Sequence, residues 1–496
     1  MQEKPHDKDT QLLKTIDNRV FHIIPSFLKG RGFTDRKLTD TPTDDLQVVN
    51  KKYVDDSTSG AGAKSCTFVI GPSSNSDSGD YDYTTDGTDD DVQIQAAIDA
   101  LPTNGGRIVF REGTYTLGSA IITIAKNGVT LQGQGKGTIV TCKTNFNNPF
   151  FRLGHASINY ENIVIKDIYF DGNKANQSIS STIIDNLTLT RAISDVEISG
   201  CYFLNAKNGC IILRDNAGTG RRFNINIHNN YFKDWDGYSD GTNVWGIYIV
   251  SDSTRNNGRI SNNYFTNSST TVSYIYGDVV CTVINNYFLF PDNFNIIGLL
   301  SCGQVIDNYF SGNEVTDHGT FGASCVLIDS CATVVSNTIQ ASLTSNAASI
   351  ALRNCERISN NSIYAFGICI SITGSAAGQS ITGNEMQSIA NCILLDTSAP
   401  SIAITGNQIM GGSDGTSSGI LIKNTVRNVI TGNVVLNNRD GAGNDSLYGI
   451  RENATDAGPN IITSNIVIAK SGLFDGAAIS TQHTLTEISH NITVQP

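Results

Sequence analysis

The hydrophobic positions in the C-terminal two-thirds of the chain repeat a short pattern, Ile-x-x-Asn-x-Ile or Ile-x-x-Asn-x-Phe, with conservative changes. In RISNNYF, for example, Ile260 and Phe265 flank a polar turn that contains Asn263. Eleven copies put an asparagine in the same slot, at intervals of 22 to 33 residues. They are Asn230, Asn263, Asn286, Asn308, Asn337, Asn361, Asn384, Asn407, Asn433, Asn465 and Asn491. Repeats of this length indicate structural units that stack on one another.

Each repeat contains short strands and no helical pattern. A second apolar stretch, such as GIYIV at 246–250 or SIAL at 349–352, precedes many of the asparagines. No useful run of apolar residues with helical spacing occurs after about residue 105. Short strands, frequent turns and loops of variable length are typical of an all-β parallel solenoid. We expect about thirteen coils and a rod roughly 60 Å long.

The asparagines are expected at the bends of successive coils. Asparagine tolerates a left-handed backbone and hydrogen-bonds to neighbouring main chain. Its amide both donates and accepts, so asparagines stacked one coil above another can satisfy each other. We therefore predict a structural ladder that contains all eleven side chains.

The segment before the repeats predicts an amphipathic helix. Ile94, Ala97, Ile98 and Leu101 share one face, and the Asn-Gly-Gly sequence at 104–106 is expected to end the helix. The first coil of a solenoid leaves its core and its strand edges open. A helix laid across that end would cover both.

These patterns divide the chain into four parts. Residues 1–60 lie outside the repeats and are expected to be an attachment or oligomerisation region, and residues 61–83, rich in Ser, Asp and Gly, are expected to be a linker. Residues 84–128 carry the capping helix and the first strands, and residues 129–496 form the solenoid.

The cap and first strands also resemble a known superfamily. The phrases DGTDD, VQIQAAID, GGRIVF and EGTY, all within residues 84–117, resemble the opening of the pectate-lyase-like β-helix superfamily. With the repeats, the resemblance covers residues 84–496. It implies a right-handed single-stranded parallel β-helix and a carbohydrate context. The superfamily includes polysaccharide lyases, glycoside hydrolases, epimerases and phage tail spikes, so the resemblance implies no particular reaction.

A second resemblance lies in the N-terminal region. The phrase PTDD…VNKKYVD at 42–55 is similar to a virion-attachment segment of phage tail-fibre and tail-spike proteins. Thr43 can cap a helix there that has Leu46, Val49 and Tyr53 on one face. Such a helix is too short to be stable alone and needs a partner. The resemblance implies a virion tail or baseplate partner for residues 1–60 and a homotrimer.

Composition and charge limit the classes of molecule that the protein is expected to bind. The chain is 39% hydrophobic and 16% charged, and its net charge is −12. With no basic patch, nucleic-acid binding is not expected. Like-charge repulsion disfavours a strongly anionic glycan, whereas a neutral polysaccharide suffers no such repulsion.

The chain has eleven cysteines, and seven of them fall in apolar strand slots, where they are expected to be small buried hydrophobes: Cys201, Cys210, Cys281, Cys302, Cys325, Cys369 and Cys392. No CxxC pair occurs, so neither a metal site nor any other cofactor is predicted. The charged start of the chain predicts no cleaved signal peptide, and no apolar run predicts membrane insertion. Free thiols fit assembly in a host cytoplasm and a final place in the virion tail; an extracellular protein is the alternative.

One window concentrates the chemistry that a carbohydrate site needs. The tryptophans of the chain, two in all, fall within residues 233–252, where aromatic and acidic residues alternate. The predicted substrate-binding residues are Trp235, Tyr238, Trp245 and Tyr248, and the predicted catalytic residues are Asp234, Asp236 and Asp240. Carboxylates two residues apart on a strand lie about 6.6 Å apart, near the low end for inverting glycosidases. Asp234 or Asp236 would then act as general acid while another carboxylate activates water; a pair on adjacent coils, about 5 Å apart, would suit a retaining mechanism instead.

Three functions are compatible with these features. The first is a tail-spike or tail-fibre-like protein that binds host cell-surface polysaccharide, with or without depolymerising it. The second is a non-catalytic adhesin or structural fibre of the same shape. The third is a cellular polysaccharide lyase or glycoside hydrolase, which would be expected to carry a secretion signal.

Overall fold

Successive repeats stack as coils of a right-handed parallel β-helix in a computed structural model. It describes residues 66–72, 80–154, 160–179, 181–186, 193–215, 224–239, 244–251, 257–269, 271–277, 281–291, 297–312, 325–340, 349–374, 378–388, 390–398, 401–411, 417–437, 448–453, 458–468 and 478–494. All of these belong to the compact unit Ser65–Pro496. The predicted attachment region and its short helix at 43–53 lie outside the described residues.

The first sheet contains 30 strands and carries two strands of most coils, one on each side of the asparagine turn. Its strands are Thr67–Pro72, Tyr83–Thr85, Gly106–Phe110, Gly113–Leu117, Val129–Cys142, Tyr160–Asp171, Ile193–Ser199, Tyr202–Leu204, Asn224–His228, Tyr231–Lys233, Asn257–Ser261, Tyr264–Thr266, Thr282–Ile284, Tyr287–Leu289, Gln304–Ile306, Tyr309–Ser311, Thr333–Val335, Thr338–Gln340, Arg357–Ser359, Ser362–Phe366, Ser380–Thr382, Glu385–Ser388, Ala403–Thr405, Gln408–Gly411, Val429–Thr431, Val434–Asn437, Ile461–Thr463, Ile466–Ile468, Glu487–Ser489 and Ile492–Val494.

The second sheet contains 15 strands, all but one of them in a single parallel path along the rod. They are Ile122–Ile124, Phe151–Leu153, Ile184–Asp185, Ile211–Asp215, Tyr238–Ser239, Val244–Ser251, Ser273–Gly277, Ile297–Leu300, Val326–Asp329, Ile350–Arg353, Ile368–Ile372, Ile393–Leu395, Ser418–Ile422, Tyr448–Glu452 and Ile479–Ser480. An α-helix spans Asp90–Ala100, and a short 3-10 helix spans Lys174–Asn176.

Strands of neighbouring coils pair in parallel and in register, as when Ile260 pairs with Val283 and Val283 with Val305. The predicted parallel β-helix is thereby confirmed. Without the off-path strand Tyr238–Ser239, the path in the second sheet has fourteen rungs (15 − 1), close to the thirteen coils expected from the repeats.

The asparagines that the repeat singles out form an unbroken ladder. The main-chain N–H and the amide of Asn263 both donate to Oδ1 of Asn286, at 2.9 and 3.0 Å. Each ladder amide also donates to a carbonyl of the preceding coil. The ladder starts where the N–H of Cys201 donates to Oδ1 of Asn230, and it ends at Asn491. Every step satisfies main-chain groups at the bend that would otherwise be buried without a partner.

The left-handed residue of each turn is the one that precedes the ladder asparagine. Asn262, Asn285 and Asn360 each have a φ of 55°, and Gly383 and Gly406 occupy the same slot with a φ of 66°. This differs from the expectation that the ladder asparagines themselves take up the left-handed conformation. The left-handed residue bends the chain between the two strands, and the next residue, the ladder asparagine, is buried.

The core is built from the residues that alternate with the exposed ones. Six phenylalanines stack in one column inside the rod, for example Phe232 on Phe265 with ring centroids 4.7 Å apart and Phe265 on Phe288 at 4.8 Å. Each buried ring removes a large apolar area from water, so this column is a main source of stability.

The helix Asp90–Ala100 covers the first coil, and its predicted apolar face is fully buried. Gln95 serves the open edge of the strand Ile122–Ile124: its Oε1 accepts from the N–H of Thr123 at 2.7 Å and its amide donates to the carbonyl there at 3.1 Å. Asp91 accepts from the N–H groups of Gly118 and Ala120. Side chains thus take the place of a missing strand at this end.

The helix ends earlier than the sequence predicts, at Ala100. Gly105 has another role: its φ is 89°, and a Cβ there would stand 2.1 Å from the carbonyl oxygen of Asn127. The glycine therefore permits close approach of the next coil.

Candidate functional site

An aromatic cluster lies on the outer face of the second sheet. Tyr248 and Tyr276 are register neighbours on successive coils, and their rings stack with centroids 4.8 Å apart. Their strand neighbours Ile247 and Ile275 point into the core, so the tyrosines face outward. Tyr238 comes from a short antiparallel pairing with the start of the strand Val244–Ser251 and places its ring 5.3 Å from that of Tyr248.

Arg214 completes this group, called the Arg214 cluster and formed by Arg214, Tyr238, Tyr248 and Tyr276. Its Cζ lies 5.1 Å from the ring centroids of both Tyr238 and Tyr248, and its Nη2 donates to the hydroxyl of Tyr238. Its Nε is buried and has no hydrogen-bond partner among the described residues. Nor does any described carboxylate form an ion pair with this guanidinium. The cluster therefore holds a cation that packs against aromatic ring faces and keeps its net charge among the described residues.

The main chain of Arg214 is fixed by a buried amide. Asn186 accepts from the N–H of Arg214 at 2.8 Å and donates to its carbonyl at 2.7 Å. Asn186 is itself completely buried. The guanidinium is thus carried by a rigid strand, which favours a site that is formed before any ligand arrives.

A second arginine, Arg152, lies in the same register column as Tyr248, three coils earlier. Arg152 donates to both oxygens of Asp185, Nε to Oδ1 at 3.0 Å and Nη2 to Oδ2 at 3.3 Å. Burial raises the pKa of Asp185, and the charge and hydrogen bonds of Arg152 act against this rise. Of these two arginines, Arg152 is thus paired with a carboxylate, whereas Arg214 has no such partner among the described residues.

The two tryptophans lie within the protein. Trp235 is 1% exposed, packs edge-on against Tyr274 and donates to the carbonyl of Ser273 at 3.3 Å. Trp245 is 0% exposed and packs against Tyr276. Of the predicted aromatic residues, Tyr238 and Tyr248 are thus half-exposed on the cluster, whereas both indoles are covered.

Two of the predicted acidic residues, Asp234 and Asp236, lie between the strands Tyr231–Lys233 and Tyr238–Ser239, and both are engaged there. Asp236 is held between Lys174 and Lys207, at 3.2 and 3.0 Å. Asp234 has a φ of 56° and accepts from the N–H of Ser268. Asp240 lies outside the described residues. The role of these three carboxylates in catalysis remains a prediction.

Sequence reasoning missed Arg214, Tyr276 and Asp185. Each belongs to a different coil and is separated from Tyr248 by a loop of irregular length. The register of successive strands brings these residues to the same face of the second sheet. An alignment of the apolar strand segments of neighbouring repeats could have predicted this placement.

The remaining side-chain chemistry is limited. Cys66 is exposed and the other ten cysteines are buried, so burial of the seven in the apolar strand slots is confirmed. Burial raises the pKa of the Cys201 thiol to about 12, so little thiolate exists there at neutral pH. Across the described ranges, no three His, Cys, Asp or Glu side chains converge as metal ligands. No helix in that part of the chain is long and apolar enough to cross a membrane.

No protein-family model matches this sequence, and no curated protein is a detectable relative. Solved structures with a similar fold include the A-module of mannuronan C-5 epimerase AlgE6 from Azotobacter vinelandii, at 14% identity and a TM-score of 0.36, covering 84% of this chain and 99% of that one. PfbA, a surface adhesin of Streptococcus pneumoniae, is 15% identical with a TM-score of 0.42, covering 71% of this chain and 88% of that one. Tailspike protein 3 of bacteriophage CBA120 is 11% identical with a TM-score of 0.38, covering 91% and 64%. These likenesses concern the fold alone.

Proposed function

We propose that this protein binds a host cell-surface polysaccharide through the Arg214 cluster, as a virion tail-spike or tail-fibre-like protein. The observation that carries the proposal is the half-exposed group of tyrosine rings with an arginine held over them. Sugar rings present C–H faces to aromatic side chains and hydroxyls to guanidinium and phenol groups. A rigid β-helix face gives such contacts at little cost in conformational entropy.

The virion context has a separate basis. It follows from the similarity of residues 42–55 to the attachment segment of phage tail fibres, and with it come the proposed homotrimer and the tail or baseplate partner. A non-catalytic adhesin or structural fibre is the alternative use of the same surface. Light scattering of the full chain that gives a monomer mass would contradict the trimer.

The proposed function is polysaccharide binding, and it does not require that the polysaccharide is cleaved. Asp236 forms ion pairs with two lysines and Asp234 accepts a hydrogen bond from the main chain of Ser268, so both carboxylates already have partners within the protein. Release of oligosaccharide from purified capsule or lipopolysaccharide, lost on replacing either residue by asparagine, would establish a depolymerase.

The test of the binding proposal is a glycan-array screen followed by titration of the best polysaccharide. We expect Tyr248→Ala and Arg214→Gln each to weaken binding about tenfold or more, since each removes a central contact. Tyr448→Ala is the matched control, because Arg451 lies over the Tyr448 ring at 4.7 Å on the same sheet, far from the cluster. Unchanged affinity in the two cluster variants, or an equal loss in the control, would refute the assignment.

A further inference from the structure

A groove of about 600 Å³ runs along the first sheet, on the outside of the asparagine turns. One wall is part of a tyrosine column, in which the residue after each ladder slot stacks on its counterpart in the next coil. The tyrosine column consists of Tyr169, Tyr202, Tyr231, Tyr264, Tyr287 and Tyr309. The opposite wall is the outer asparagine row, formed by Asn229, Asn262 and Asn285 at the left-handed positions of the turns.

The tyrosine column is rigid, and its ring faces are already used. Tyr231 stacks on Tyr264 with centroids 5.2 Å apart and an interplanar angle of 8°, and Tyr264 on Tyr287 at 4.9 Å and 4°. A ligand in the groove therefore meets ring edges and hydroxyls rather than faces. That arrangement suits hydrogen bonding to hydroxyl groups better than stacking of a sugar ring.

The outer asparagine row offers unused hydrogen-bonding capacity. Asn262 and Asn285 are exposed, and their side-chain amides bond to none of the described residues. Asn229 contacts only the ring of its neighbour His228 among those residues, at 3.0 Å. The ladder asparagines beneath are fully engaged and form a floor. Each outer amide can both donate to and accept from a hydroxyl.

The charge of the groove selects a neutral ligand. None of the described residues that line it is charged. In the column of left-handed residues, Asp167 and Asp307 stand beyond the two ends of the groove. Lys136 is a cation at one end, 4.9 Å from the ring centroid of Tyr202, but the two carboxylates and a net charge of −12 repel an anionic chain.

The shape of the groove selects a linear ligand. Its lining runs from the coil of Tyr202 to the coil of Tyr287, three coil spacings or about 14 Å. The outer amides recur once per coil in three of the four coils, and Gly200 occupies the slot in the coil of Tyr202. We infer that the groove is a second binding site, independent of the Arg214 cluster, for a neutral linear polysaccharide that lies parallel to the rod axis.

The test uses a double variant that keeps the turns intact. Asn262→Gly with Asn285→Gly removes both amides, and glycine is the native residue at this slot in Gly383 and Gly406. The full chain and the variant are run in native gels that contain dextran, galactomannan or a mixed-linkage β-glucan, with polygalacturonate as the acidic comparison. We expect wild type to be retarded by at least one neutral polysaccharide, and the double variant to bind it about tenfold more weakly.

The control is Asn360→Gly, which removes the exposed amide of the same slot outside the groove and is expected to leave retardation unchanged. Equal binding by wild type and the double variant overturns the inference, as does retardation by polygalacturonate alone. A lower mass of the double variant in light scattering overturns it too, because the groove would then be an interface between copies. If Tyr248→Ala abolishes retardation and the double variant does not, the groove proposal is refuted and the Arg214 cluster is supported. If the double variant abolishes retardation and Tyr248→Ala does not, the groove is supported and the Arg214 cluster is refuted.

Discussion

The inner and outer columns of one wall of the rod are built from neighbouring residues with similar side chains. Asn262 is exposed, and Asn263, the next residue, is 2% exposed and belongs to the ladder. The two amides differ only in which way the turn directs them. A buried amide must be satisfied within the protein, whereas an exposed one is available to a ligand. Position in the coil, rather than residue type, therefore assigns structure to one asparagine and recognition to the other.

The aromatic residues of the same turn repeat this lesson. Tyr264 and Phe265 stack on their counterparts in the next coil at nearly equal distances, 4.9 and 4.8 Å. Stacking is thus a consequence of the repeat and does not by itself indicate a ligand. What distinguishes the outer column is access and a hydroxyl group.

The largest expected difference between the two columns lies in these rings. Phe265→Ala should lower the free energy of unfolding by about 4 kcal/mol, because it leaves a cavity within the phenylalanine column. Tyr264→Ala should cost less than half of that, since its ring is partly solvated already. Urea unfolding followed by circular dichroism, with hydrogen exchange to locate the change, measures both. Equal losses would show that the outer column is as structural as the inner one.

The amides give the next largest difference. Asn286→Ala removes the acceptor for two donors of Asn263 and the amide's own bonds to neighbouring main chain. We expect a loss of about 3 kcal/mol, since buried groups are left without partners. Asn285→Gly, one residue earlier, keeps the left-handed turn and should cost under about 1 kcal/mol. A comparable loss in both variants would contradict the division of roles.

Much of this division could be predicted from the repeat, and some of it could not. The in-register phrases identify the ladder because a stacked fold repeats its bends. The burial of Trp235 could not be predicted in this way. Asp234, the residue before it, has a φ of 56°, and this left-handed residue interrupts the alternation of inward and outward side chains. Arg214 escapes it as well, since its partners come from other coils across loops of unequal length. Local periodicity predicts the rod, but contacts on its surface depend on the register between coils.

The buried carboxyl group of Asp185 makes the stability of the protein depend on pH. Burial raises the pKa of Asp185 above its ordinary value of 3.8. The native state therefore holds this proton at pH values where the unfolded state has lost it. Relative to Asp185→Asn, the stability of the wild type should fall as pH rises from below 3.8 through the raised native pKa. Urea midpoints across this range measure the trend.

Arg152→Gln is the control for this pH dependence of stability. Arg152→Gln removes the charge and hydrogen bonds that hold the Asp185 pKa down, so the fall with pH should become steeper. A stability difference that stays constant, or that grows with pH, would mean that pairing with Arg152 outweighs burial at this site.

The smallest effect concerns the rung of the ladder where asparagine is missing. Cys201 occupies the slot, donates its N–H to Oδ1 of Asn230 at 2.8 Å and places Sγ 3.8 Å from the carbonyl oxygen of Ile165. In the next coil, the amide of Asn230 bonds to the equivalent carbonyl of Ile198 at 2.8 Å. Cys201→Asn should extend the ladder by one rung and raise the free energy of unfolding by about 1 kcal/mol. Cys201→Ala should lower the free energy of unfolding. If Cys201→Asn also lowers the urea midpoint, the slot in this coil is too tight for the amide that every later coil accommodates.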